Sequence, residues 1–185
     1  SIASIQRAIA VLGFDAVQLL SKALRALEAD PGGVTDRLVR HELMRSTLAG
    51  TLAVCLTTDG RRLEETQLTA MFQNLGRMLV AVHLPDEALA VRARVPKAHW
   101  PRAALEQSAS RELLGMEFGH IGQHVARLWG WPERLRSAME RHPWPASRIS
   151  QPGARLRWIA QCANDLADLM LDCDPQRWAA GCDEL

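Results

Sequence analysis

The sequence predicts an all-α protein, a compact bundle of about eight helices. In most segments apolar residues recur at the i, i+3, i+4, i+7 spacing of one helix face. No segment shows the sustained alternation of apolar and polar residues that is typical of a half-buried strand. The 9 prolines and 12 glycines fall mostly between the periodic stretches, so the helices are expected to be joined by short connections.

Four helices are predicted in the first half of the chain. Apolar residues at helical spacing run over residues 5–12 and 17–27, and a Pro-Gly-Gly turn follows the second run. A longer helix is expected from about Thr35 to Leu56. After a turn around Asp59-Gly60, one helix is expected to continue to about Val82.

Four more helices are predicted in the second half. A short helix lies within residues 85–96, and a long one is expected from about Ser108 to Trp129. The next begins at Trp131-Pro132 and ends before His142-Pro143, because proline interrupts the helical hydrogen-bond pattern. The last substantial helix is expected from Pro152 to about Leu171.

Composition indicates an ordinary globular domain. The 185 residues fit one domain, with 48% apolar and 23% charged residues. The net charge of +1 gives no support to a nucleic-acid or membrane partner, and we expect neither.

The cysteines and the hydropathy pattern indicate a cytoplasmic protein. The four cysteines are widely spaced and form no C-x-x-C pair, which favours reduced thiols over a disulfide framework. No signal peptide is recognisable, and no apolar run is long enough to span a bilayer.

Four segments carry a more specific signal. Residues 4–13 read S-I-Q-R-A-I-A-V-L-G, residues 68–80 contain F-Q-N-L-G-R, residues 112–132 contain E-L-L-G and W-G-W-P, and residues 138–143 read A-M-E-R-H-P. In this order and spacing they resemble the HDOD family, helical bacterial signalling domains related to the metal-dependent HD phosphohydrolases. The resemblance implies an HD-like bundle.

The resemblance also indicates where the hydrolases hold their metal. Their His-Asp pair corresponds here to Gln73 and Asn74, and neutral amides are poor substitutes for an imidazole and a carboxylate. The other ligand positions correspond to Arg45, Phe118, Arg141, His142 and Asn164. We therefore expect these seven residues to form a vestigial pocket without metal, cofactor or catalytic residue.

Two alternatives remain open at this point. A phosphohydrolase of nucleotides or cyclic dinucleotides could use a rebuilt metal site, made of Glu117, His120, His124, His142 and Asp165. Glu-x-x-His spacing occurs in the metal sites of helical bundles, although the polar flank of a long amphipathic helix is the favoured explanation of the first three. A metal-free nucleotide sensor could instead use the amides and arginines of the vestigial pocket.

The resemblance further implies a role in signalling. HDOD domains occur beside kinase, GAF, receiver or cyclic-di-nucleotide domains, and the F-Q-N-L-G-R segment is similar to the subgroup attached to a protein-kinase-like domain. We expect residues 1–185 to be a single domain that lacks the family's N-terminal helical lobe, as a fragment of a longer protein. A partner protein or a neighbouring domain is the expected ligand.

Overall fold

The computed structural model describes residues 17, 18, 21, 33–96, 102–141 and 152–173, without the side chains of residues 61, 152 and 153. Over the elements so described the chain forms eight α-helices and no strand, which confirms the all-α prediction. The helices are α1 (Val34–Leu56), α2 (Leu63–Phe72), α3 (Leu75–His83), α4 (Pro85–Arg94), α5 (Arg102–Leu114), α6 (Phe118–Leu128), α7 (Glu133–Ala138) and α8 (Pro152–Asp172). The predicted helix over 5–12, most of that over 17–27, and His142 lie outside the described residues.

The prediction of one continuous helix up to Val82 was wrong. Helix α2 ends at Phe72 and α3 begins at Leu75, with Gln73 and Asn74 forming the turn between them. Asn74 has φ −101° and ψ 27°, outside the helical region, and its side chain donates a hydrogen bond to α8. Asparagine readily exchanges helical geometry for side-chain hydrogen bonds, which accounts for the break.

The prediction of one helix from Ser108 to Trp129 was also wrong. Helix α5 begins at Arg102 and ends at Leu114, and α6 begins at Phe118. Gly115, between them, has φ +73°, the left-handed conformation that glycine adopts without a steric cost. A glycine in this conformation just past a helix end is a common way to terminate the helix.

Helix α8 packs against α1 and α2 through small side chains. The contact consists of fully buried alanines: Ala49, Ala53, Ala70, Ala160, Ala163 and Ala167. Small residues let the helices approach closely, and polar side chains on neighbouring positions are then brought within bonding distance. This close packing positions the buried Asn164, Asp165 and Asp168 of α8.

Helices α3 and α6 cross in backbone contact at two glycines. A Cβ atom on Gly76 would lie only 1.8 Å from the carbonyl oxygen of Phe118, and one on Gly122 would lie 2.9 Å from the backbone nitrogen of Gly76. No larger residue fits this crossing without displacing backbone. The crossing fixes Phe118 and the start of α6 beside the turn at Gln73 and Asn74.

Candidate functional site

Three side-chain amides meet where the α2–α3 turn faces α8. The Nδ2 of Asn74 donates a hydrogen bond of 2.7 Å to the Oδ1 of Asn164. The Nδ2 of Asn164 lies 3.2 Å from the Oε1 of Gln73 and 2.9 Å from the carbonyl oxygen of Ala70. Asn164 is completely buried and Gln73 nearly so. We call Gln73, Asn74 and Asn164 the amide cluster.

An ion pair lies next to the amide cluster. The Nη2 of Arg141, which follows α7, contacts the Oδ1 of Asp165 on α8. Asp165 is buried, whereas Arg141 is half-buried. Arg141, which the resemblance leads us to expect at a former ligand position, is therefore already paired with a carboxylate.

A cleft of about 690 Å³ opens beside these groups. This volume lies within the range of pockets that hold small molecules or peptide side chains. Its walls come from the α2–α3 turn, from α5 and α6, from the end of α7 and from α8. The residues that line the cleft include Gln73, Asn74, Phe118, Glu140, Arg141 and Asp165.

Arg45 lies outside this cleft. Its Nη1 contacts the Oδ1 of Asp168, and its Nη2 donates a hydrogen bond of 2.5 Å to the Oδ2 of Asp172. Arg77 joins the same group, with its Nη1 2.9 Å from the Oε2 of Glu106 and 3.5 Å from the Oδ2 of Asp168. The Oε2 of Glu42 lies 3.4 Å from the Nε of Arg45. We call this group the buried ion-pair network; its members are Glu42, Arg45, Arg77, Glu106, Asp168 and Asp172.

The network sets the protonation of its members. Burial alone would raise the pKa of Glu42, but Arg77 and Arg45 more than offset this, so the pKa is held well below its usual value. Burial acts in the same direction on Asp172, where hydrogen bonds from His41 and Arg45 hold the pKa well below its usual value. The hydrogen bond to Asp172 raises the pKa of His41, with Glu42 adding to the effect.

The residues of the alternative metal site are only partly brought together. Glu117 pairs with Arg111, Asp165 pairs with Arg141, and the exposed His120 lines the cleft. His124 is exposed and is not part of the cleft lining, and His142 falls outside the described residues. In the described part of the chain no three His, Cys, Asp or Glu side chains are placed to hold one metal ion.

The sequence interpretation missed the acids that pair with Arg45. Asp165, Asp168 and Asp172 follow the i, i+3, i+7 spacing of one helix face, and Asp168 and Asp172 are buried in the network. Buried carboxylates require partners, so three acids on the inner face of one helix are the signal that could have revealed the network.

The fold and the site define an all-helical domain whose pocket carries side-chain amides and one paired arginine. A family model for the HDOD domain matches residues 1–145, and the chain belongs to this family. A search of curated proteins and a search of solved structures each find no match. Over the described residues, none of the helices has the length and apolar character needed to cross a membrane.

Proposed function

We propose that this chain is a non-catalytic HDOD domain in bacterial signal transduction, which binds a partner protein through the cleft. The amide cluster is the observation that carries the proposal. Gln73, Asn74 and Asn164 correspond to metal-ligand positions in the related hydrolases, and here they hydrogen-bond to one another. Neutral amides that are engaged in this way are weak ligands for a divalent cation.

The paired arginine supports the same proposal. Arg141 brings a positive charge into the cleft wall, and its contact with Asp165 uses one oxygen of the nearest buried carboxylate. A metal ion would have to compete with this guanidinium for Asp165, so the ion pair disfavours metal ligation at this carboxylate.

The cleft has the properties of a docking surface. It combines polar groups with apolar side chains such as Phe118 and Met139, and it is large enough to receive side chains of another protein. The partner we propose is a neighbouring signalling domain in the cytoplasm, of the kinase, GAF, receiver or cyclic-di-nucleotide type. Membership of the subgroup with a kinase-like domain is part of this proposal.

The two alternatives have less support. A rebuilt metal site would have to draw Glu117 away from Arg111 and Asp165 away from Arg141. A nucleotide sensor would need Arg45 to face the ligand, but this guanidinium is buried between Asp168 and Asp172.

Site-specific photo-cross-linking in cells tests the proposal. A photoreactive amino acid replaces Ala104, an exposed residue of the cleft wall, and in a matched control it replaces Thr51, an exposed residue of α1 outside the cleft. We expect position 104, and not position 51, to form a discrete adduct whose mass-spectrometric identification gives a signalling protein. Equal labelling at both positions, or manganese-dependent hydrolysis of bis-p-nitrophenyl phosphate by the purified chain, would contradict the proposal.

A further inference from the structure

The three aspartates on the inner face of α8 differ in how their oxygens are used. Asp172 accepts from Arg92 at Oδ1, over 2.8 Å, and from Arg45 at Oδ2. Asp168 contacts Arg45 at Oδ1 and lies 3.5 Å from Arg77 at Oδ2. Each of these carboxylates therefore bridges two guanidinium groups.

Asp165 has only one such partner among the described residues. Arg141 contacts its Oδ1, whereas its Oδ2 is buried without a hydrogen-bond donor in that part of the chain. The residue is 2% exposed and forms part of the cleft wall. A buried acceptor without a donor costs free energy that an entering donor recovers.

A second polar atom in the cleft wall is also unsatisfied. The Oε1 of Gln73 accepts from Asn164, which fixes the amide, and its Nε2 is buried without an acceptor in the described structure. Gln73 is 5% exposed and lines the same cleft. The cleft thus offers one buried carboxylate oxygen and one buried amide donor.

The charge of the cleft favours a cation. Among its lining residues are three carboxylates, of Glu117, Glu140 and Asp165, and one guanidinium, of Arg141, so the formal balance is −2 with His120 neutral. Arg111 and Arg157 pair with Glu117 and Glu140 but are not part of the lining. A phosphate-bearing ligand is disfavoured by this balance, and a positively charged group is favoured.

We infer that the cleft receives an arginine side chain of the partner protein. Its guanidinium donates to the Oδ2 of Asp165, completing the two-arginine arrangement of Asp168 and Asp172, and a backbone carbonyl of the same segment accepts from the Nε2 of Gln73. Arginine suits the position because its planar guanidinium presents several donors to a carboxylate already held in place. This inference rests on the proposed partner-binding function and specifies the chemistry that the partner presents.

Calorimetric titration of the 185-residue chain tests the chemistry. The probes are N-acetyl-L-arginine amide, its neutral isostere N-acetyl-L-citrulline amide, butylguanidine, which keeps the single positive charge but lacks the peptide carbonyls, and AMP. We expect the arginine amide to bind at least about tenfold more tightly than the citrulline amide and more tightly than butylguanidine. Equal binding of the citrulline amide, preferred binding of butylguanidine or AMP, or no binding of the arginine amide would overturn the inference.

Variants locate the interaction. Asp165→Asn, with folding verified by circular dichroism, is expected to weaken binding of the arginine amide by about tenfold or more. Glu140→Gln, which removes one negative charge from the cleft but keeps Asp165, is expected to weaken it less, and the exposed Asp86→Asn on α4 is expected to leave it unchanged. Equal losses in Asp165→Asn and Glu140→Gln would mean that only the overall charge matters, and would overturn the assignment to Asp165.

Cross-linking in cells separates this inference from the proposed function. The photoreactive residue at position 104 is combined with Asp165→Asn, and the yield of the partner adduct is expected to fall. An unchanged yield would overturn the arginine inference while partner binding at the cleft stands. Absence of a cleft-specific adduct from the otherwise unchanged chain would overturn the proposed function itself.

Discussion

The Nδ2 of Asn74 and the Oδ1 of Asn164 lie 2.7 Å apart and join the α2–α3 turn directly to α8. In the related hydrolases the corresponding residues are expected to be joined through metal. Here a hydrogen bond between two amides makes the connection.

Asn164→Ala is expected to destabilise the protein by roughly 2–3 kcal/mol, because it leaves a buried amide and a buried carbonyl without their partners. Asn164 is fully buried and bonds to Asn74, Gln73 and Ala70. Urea denaturation measures the loss. Cys162→Ala, at a half-buried position of the same helix, is the control and should cost clearly less; equal costs would contradict a structural role for the amide cluster.

Gly76→Ala is expected to destabilise by more than about 2 kcal/mol, because the added methyl group meets the backbone of α6 rather than a movable side chain. The ideal Cβ lies 1.8 Å from the carbonyl oxygen of Phe118. The control is Gly60→Ala, where the added atom meets nothing within 4 Å and the change should stay within about 1 kcal/mol. Thermal unfolding measures the destabilisation of both variants, and similar melting temperatures would refute the close crossing of α3 and α6.

Arg45→Met is expected to cost about 3–5 kcal/mol, because it leaves Asp168 and Asp172 buried with fewer positive partners. Arg94→Met is the matched control, since Arg94 forms an exposed ion pair of 2.8 Å with Glu112. Its loss should cost less than about 1 kcal/mol, because solvent screens such pairs. Urea denaturation compares the two, and a small effect at Arg45 would argue against the ion-pair network as a stabilising element.

Stability should depend on pH in two ways. The pKa of His41 is raised from 6.5, so its contribution to stability is fully present below that value and is lost as the pH rises through the raised pKa. The pKa values of Glu42 and Asp172 are lowered from 4.5 and 3.8, so their contributions are present above those values and are lost as the pH falls. Unfolding free energies measured across this range should decline at both ends.

A histidine variant isolates the loss of stability that is expected at basic pH. The stability difference between the unchanged chain and His41→Gln is expected to be larger at about pH 5.5 than at about pH 8.5. His83→Gln, at an exposed position that ends α3, serves as the control. A difference for His41→Gln that grows with pH would have the wrong sign for its interaction with Asp172.

The residues that form the amide cluster could be predicted from the sequence. The spacing of the family's motifs assigned Gln73, Asn74 and Asn164 to one pocket, although Asn74 and Asn164 are 90 residues apart in the sequence. The structure brings all three side chains together. The helical character of these segments was also predictable from the spacing of their apolar residues. The breaks at Asn74 and Gly115 were not, because they depend on a side-chain bond to a distant helix and on one positive φ angle.

The position of Arg45 could not be obtained in the same way. Spacing placed it with the vestigial pocket, whereas its guanidinium lies in the network with Asp168 and Asp172. A long side chain can reach several partners from one backbone position, and which one it reaches depends on how closely the alanine faces of α1 and α8 pack. The distance between these two helices depends on the tertiary packing, which apolar periodicity does not encode.

Metal content tests the central claim most directly. Protein purified without a histidine tag is analysed for bound metal, and its thermal unfolding is measured with and without manganese, beside a manganese-dependent HD hydrolase as the positive control. A metal-to-protein ratio near zero and an unchanged melting temperature are predicted, because the amide cluster and the Arg141–Asp165 pair offer no suitable set of ligands. A ratio of about one or two metal ions per chain, with stabilisation by manganese, would contradict the account.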